Sequence, residues 1–151
     1  MAGSLRRGRV AMVVRVRVRI RCGDRVVETA ALANSGYETD EPEIHIPLAC
    51  ARELGLRLAE LRGESYRVVG GTTSAYILGE VLVQVVEEDR SSGWVRARAV
   101  TVPGEYEAIL SDRLLDALGI EIVRAGMGYW RFSGEPINRT RKSVEPRFWI
   151  G

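Results

Sequence analysis

Asn34, Ser35 and Gly36 are the residues whose types and spacing most suggest chemistry. They form a polar tripeptide directly after an apolar strand end, Ala31-Leu32-Ala33. Such a turn presents an amide or carboxyl group, then a hydroxyl, then a glycine that lets one backbone approach another closely. An aspartate in the first place would serve as general acid or base. An asparagine has no basic oxygen at neutral pH, and it also suits a plain turn because its side chain bonds to nearby backbone.

Other residues compete for a functional role. Gly70, Gly71, Thr72, Thr73 and Ser74 make a flexible tip between two strand patterns. This run lacks the Lys-Ser/Thr pair and the following helix of a phosphate cradle. Glu38, Asp40, Glu41, Glu43 and His45 form an acidic cluster without the 12-residue, glycine-centred pattern of a calcium loop. A solvated loop is the expected state, with no metal site. His45 is the sole histidine. It alternates with Ile44 and Ile46 and reads as a solvent-facing strand end rather than a triad member. Arg15, Arg17, Arg19 and Arg21 could grip phosphates. No aromatic residues interleave them, so base stacking is unsupported. The row reads as a strand's solvated face, partly neutralised by a neighbouring strand near Glu28. A nucleic-acid-binding β-domain therefore stays an alternative and is not the expected function.

The elements that would position these residues are mostly strands. Val14, Val16, Val18, Ile20 and Cys22 alternate with the four arginines, which is strict period two. Gly23-Asp24 is a turn signal, and a second strand runs from Val26 to Ala33. Pro47 opens a helix that stops at Gly55. Strands are expected over 66–69 and 76–86, the latter interrupted at Gly79, and then over 94–102 and 107–110. Ser111 is the expected N-cap of a helix over 112–118, with Gly119 its stop. A last hairpin spans 120–132. Periodicity ends there, and residues 133–151 read as a linker or an arm that docks on a partner chain.

Composition bounds the rest. The 151 residues suit one domain, and 46% are hydrophobic, enough for a core. No apolar run approaches the ~20 residues that span a bilayer. The basic start, residues 1–9, leads into the Arg-interleaved strand rather than an apolar signal core, so a cytoplasmic location is expected. Cys22 and Cys50 lack metal-site spacing and are expected as buried thiols. Positive charge is almost wholly arginine, with Lys142 the single lysine; such charge-rich surfaces are compatible with heat adaptation.

Taken together, ALANSG (31–36), IPLACARELGL (46–56), VVGGTTSAYILGEVLVQV (68–85) and AILSDRLLDALGIEI (108–122) resemble the retropepsin-like aspartic peptidases. The resemblance spans roughly residues 12–132. It implies a mainly β fold: a closed or strongly curved barrel with two short helices. It also implies a homodimer in which two Asp-Ser/Thr-Gly loops face each other across a cleft for extended peptide, roofed by flap hairpins. The paired aspartates share a proton and activate water. No cofactor is implied. Asn34, Ser35 and Gly36 occupy the family's catalytic positions, and residues 70–74 the flap tip.

Three departures stand out. Asn34 replaces the aspartate, Ser111 stands where glycine is usual, and the loop 37–46 is longer than usual and acidic. Loss of one acid–base group costs on the order of 100- to 10,000-fold, and a symmetric dimer would lose both. Asn34 is open to three readings: a natural loss of catalysis, an active enzyme in which Asn34 is converted to Asp or was introduced to silence it, or a simple turn cap. The acidic loop could also place a substitute carboxylate near the turn. A weak internal repeat accompanies the resemblance. Each half reads apolar strand, polar turn, short helix and Leu-Gly-apolar, which implies pseudo-two-fold symmetry. The expected organisation is a basic arm over 1–9, a domain over 10–132 and a tail over 133–151.

Overall fold

The computed structural model describes residues 13–56, 62–68 and 71–151, with 62–68 and 71–74 described in backbone only. The alternating segment forms β1 (Arg15–Cys22) and pairs antiparallel with β2 (Arg25–Ala33) across a turn in which Gly23 has φ of 62°. Val14, Val16, Val18 and Ile20 all point into the core. A one-residue slip of this register would turn the valines out and the arginines in.

Beyond β2 the chain passes through an extended loop into β3 (Glu43–His45) and α1 (Leu48–Glu53). A long hairpin follows, β4 (Arg62–Val68) and β5 (Gly71–Val85), then β6 (Val95–Thr101) and β7 (Ala108–Leu110). β7 lies parallel to β2, while β3 sits between β7 and β6. β5 pairs with β6 on one side and with β1 on the other. The strand order β1-β2-β7-β3-β6-β5 thus returns to β1 and closes a barrel of six strands, with β4 attached outside the ring to β5. Closure removes the free edges that open sheets must protect. β5 can serve both the ring and the outer hairpin because it is long. It slips register at Gly79, whose φ of 132° favours glycine. The fold is therefore mainly β, a closed six-stranded barrel with two short α-helices among the described residues.

The second helix, α2 (Asp112–Leu118), begins and ends where its sequence demands. The Ser111 hydroxyl accepts from Leu114 N, and Gly119 closes the helix with φ of 76°. The sequence repeat is visible in space. β2 and β7 are register-paired parallel neighbours, Ala31 beside Ala108 and Ala33 beside Leu110. Each leads toward a short helix ended by a left-handed glycine, Gly55 or Gly119. The Val, Ile, Leu and Ala side chains of both halves fill one core.

Residues after α2 form a second, three-stranded sheet: β8 (Ile120–Arg124), a 3-10 turn (Ala125–Met127), β9 (Tyr129–Phe132) and β10 (Arg141–Lys142). The aperiodic tail, read from sequence as a linker or partner-docking arm, lies along the chain's own barrel. Val144 N donates to Arg15 O, and Trp149 N donates to Tyr106 O. The buried Trp149 indole donates to Thr29 Oγ1 at 3.0 Å and joins the core. The almost fully buried Arg141 binds Glu135, Asp89 and Glu87 at 2.6–3.1 Å and lies over the Phe132 ring. No helix among the described residues is long and apolar enough to cross a membrane.

Candidate functional site

Asn34, Ser35 and Gly36 form an exposed turn at the end of β2. Gly36 N donates to Asn34 Oδ1 at 3.0 Å, and Tyr37 N donates to Asn34 O at 3.1 Å. A backbone N–H needs an acceptor, so it fixes which edge of the amide faces the turn. The Nδ2 group then faces away from Gly36. A carboxylate oxygen in the same place would accept the same bond, so the turn suits either side chain. Glycine is favoured at position 36 because an added Cβ would stand 3.2 Å from Asn34 Oδ1. Asn34 N also reaches toward Leu110 O at 3.4 Å, linking this turn to β7 of the other half.

The acidic cluster divides. Glu38, Asp40 and Glu41 are exposed, as expected of a solvated loop. Glu43 is only 1% exposed and lies on β3 directly beside Arg98 of β6. Arg98 Nε donates to Glu43 Oε1 at 2.9 Å, and the Tyr37 hydroxyl donates to Glu43 Oε2. Among the described residues no group of three or more His, Cys, Asp or Glu is arranged to hold a metal ion.

His45 corrects the sequence reading. It is buried rather than solvent-facing, with Nδ1 at 2.9 Å from Glu107 O. Its Nε2 is enclosed without a hydrogen-bond partner. Burial lowers its pKa below the usual histidine value. Arg15 is a second correction. It is buried and forms a two-pronged pair with Glu107, at 2.7 and 3.1 Å. The row of exposed guanidinium groups is thus Arg17, Arg19 and Arg21. The first two share Glu28, at 3.7 and 3.3 Å, the neutralising neighbour expected from strand pairing. Cys50 is buried as expected, and burial pushes its thiol pKa up to about 12. Cys22 is half-buried and free.

At the hairpin tip, Gly70 lies outside the described residues. Gly71, Thr72, Thr73 and Ser74 belong to β5, paired with Val68, Arg67, Tyr66 and Ser65 of β4. Residues 71–74 are therefore strand rather than part of a flexible tip. A groove of about 520 Å³ opens between the β1–β2 hairpin, at Arg17, Glu28 and Thr29, and residues 143–147 of the tail. Of the candidate residues it contains Arg17 alone, and it lies away from the Asn34 turn and the β4–β5 tip. The pairs of buried Glu43 with Arg98 and of buried Arg15 with Glu107 went unread because each joins residues far apart in sequence.

No protein-family model and no curated protein matches the chain. Among solved structures it is similar to an EIAV protease in complex with the inhibitor HBY-793. The two are 19% identical with a TM-score of 0.49, over 72% of this chain and 90% of that one.

Proposed function

We propose that this chain is the subunit of a homodimeric retropepsin-like homologue of the aspartic peptidases, with a cleft for extended peptide and with catalysis lost at Asn34. The support is the order of the four sequence motifs together with the geometry of the turn. The observation that carries most is the Asn34 Oδ1 to Gly36 N bond at 3.0 Å, in an exposed turn at the mouth of the parallel β2–β7 pair. It is a frame in which an aspartate would be held equally well and an asparagine cannot share a proton. Two such turns facing across a two-fold axis would form the cleft floor. The β4–β5 hairpins, with residues 70–74 at or near their tips, would form its roof, and peptide would bind along strand edges.

The test is Asn34→Asp. The variant should gain acid-optimal cleavage of an unfolded protein substrate, blocked by an active-site inhibitor of aspartic peptidases, and both forms should sediment as dimers. Inhibitable cleavage by the unaltered chain would overturn the loss of catalysis, and a monomer at all concentrations would overturn the cleft. The exposure of Asn34 favours one second reading, conversion of its amide to the acid in an active enzyme. Mass analysis of the peptide containing Asn34 decides between the two.

A further inference from the structure

The loop that carries Asn34 has little apolar anchorage, since Asn34, Ser35, Gly36, Glu38, Asp40 and Glu41 are all exposed. Segments built this way open readily. Tyr37, Thr39 and Pro42 are less exposed. Thr39 N donates to Asp112 Oδ1 at 3.0 Å, and the Tyr37 hydroxyl donates to the buried Glu43 carboxylate. Glu43 then reaches the other half of the molecule through its backbone. Glu43 N donates to Ser111 Oγ at 3.1 Å, and Ser111 N donates to Glu43 O at 3.0 Å. The next residue completes the circuit, because Asp112 N donates to Tyr37 O at 2.8 Å. Tyr37, Glu43, Ser111 and Asp112 thus close a ring of hydrogen bonds. Arg98, held to Glu43 Oε1, fastens that ring to the barrel wall.

The Glu43 carboxylate is buried and its Arg98 partner partly exposed, and burying a carboxylate costs desolvation that its ion pair does little more than offset. Its directional bonds do something apolar packing cannot: they fix one loop at one angle to one strand. The structure assigns Tyr37, Glu43 and Ser111 as positioning residues that hold the Asn34 turn in register with the Ser111-Asp112 turn of the other half. This assignment rests on the peptide-cleft reading only in treating the Asn34 turn as the site. It joins two departures from the family pattern into one unit. The serine supplies the hydroxyl that accepts from Glu43 N, and the enlarged acidic loop supplies Glu43.

Amide hydrogen exchange of the full chain, read residue by residue by NMR, tests it. Tyr37→Phe removes a single hydroxyl and should speed exchange at Gly36 and Tyr37 about tenfold or more while β1 and β5 amides are unchanged. Ser111→Gly, the second variant, should act at the same two amides. Glu43→Gln offers one acceptor oxygen to two donors, the Tyr37 hydroxyl and Arg98 Nε, and should retain only part of the protection. Unchanged exchange at Gly36 in both loosening variants would overturn the assignment. So would an equal rise throughout the barrel in Tyr37→Phe, which would make the role one of general stability. The readout needs neither dimer nor cleavage. A monomeric, inert Asn34→Asp protein with the expected exchange pattern sinks the peptidase-like reading alone. An active dimer with flat exchange sinks this assignment alone.

Discussion

Two turns follow two parallel, register-paired strands, yet they have opposite characters. The turn after β2 is exposed, and its one side-chain bond is local, from Gly36 to Asn34. The turn after β7 has Ser111 fully buried, with its hydroxyl accepting from both Glu43 N and Leu114 N. Equivalent places in a repeated topology have thus been given different work. One is left exposed, and the other is buried among hydrogen bonds to β3 and α2. The difference follows from surroundings: β3 and α2 pack over Ser111, whereas the Asn34 side chain bonds only within its own loop.

The sharpest way to break this contrast is Ser111→Ala. It removes a helix cap and leaves Glu43 N without its partner in a buried site. A loss of about 2–3 kcal/mol is expected, measured by chemical denaturation. A loss under about 1 kcal/mol would mean that the two turns are not so different.

Acid is expected to weaken the committed half and the tail. The Arg141 guanidinium holds the Glu135 carboxyl at about 2, against an ordinary 4.5. A depressed carboxylate contributes stability above the unfolded value, lost as pH falls from about 4.5 toward 2. His45, buried neutral with a lowered pKa, acts in the same direction. The unfolded chain takes up its proton first, so stability falls below about 6.5, the unfolded histidine value. Denaturation midpoints should therefore be flat above neutrality and decline below it, with the upper part of the decline absent in His45→Gln. An unchanged profile in that variant would remove His45 from the account. Any acid-optimal cleavage by Asn34→Asp must be read against this decline.

Much of the frame is legible in sequence, for a physical reason. Local rules govern it: period two for β1, a hydroxyl cap at Ser111 and left-handed glycine at Gly119. The buried charges escaped because burial of Arg15, Glu43 and His45 depends on partners brought together only by the sheet order. Arg15 meets Glu107, and Glu43 meets Arg98 across β3 and β6. The tail escaped because one aromatic residue, Trp149, fixes it without any repeating pattern.

At the open turn, Asn34→Ala should cost within about 1 kcal/mol, because only one exposed local bond is lost. A larger loss would make Asn34 a structural cap rather than a residue kept available. The smallest effect is expected at Arg19→Ala. Its pair with Glu28 is about half exposed on both sides, and such pairs contribute about 0.5 kcal/mol or less. Salt-sensitive nucleic-acid binding that weakens when Arg17 and Arg19 are replaced together would revive the alternative reading of that face.

The place of Trp149 has a consequence for synthesis. Its indole bonds Thr29 on the second strand, and its backbone bonds Tyr106 just before the seventh. A nascent chain that has emerged only as far as Phe132 already contains every strand of the barrel, but Thr29 then lacks its capping indole. Residue 149 must leave the ribosome before the earliest hairpin acquires this last partner.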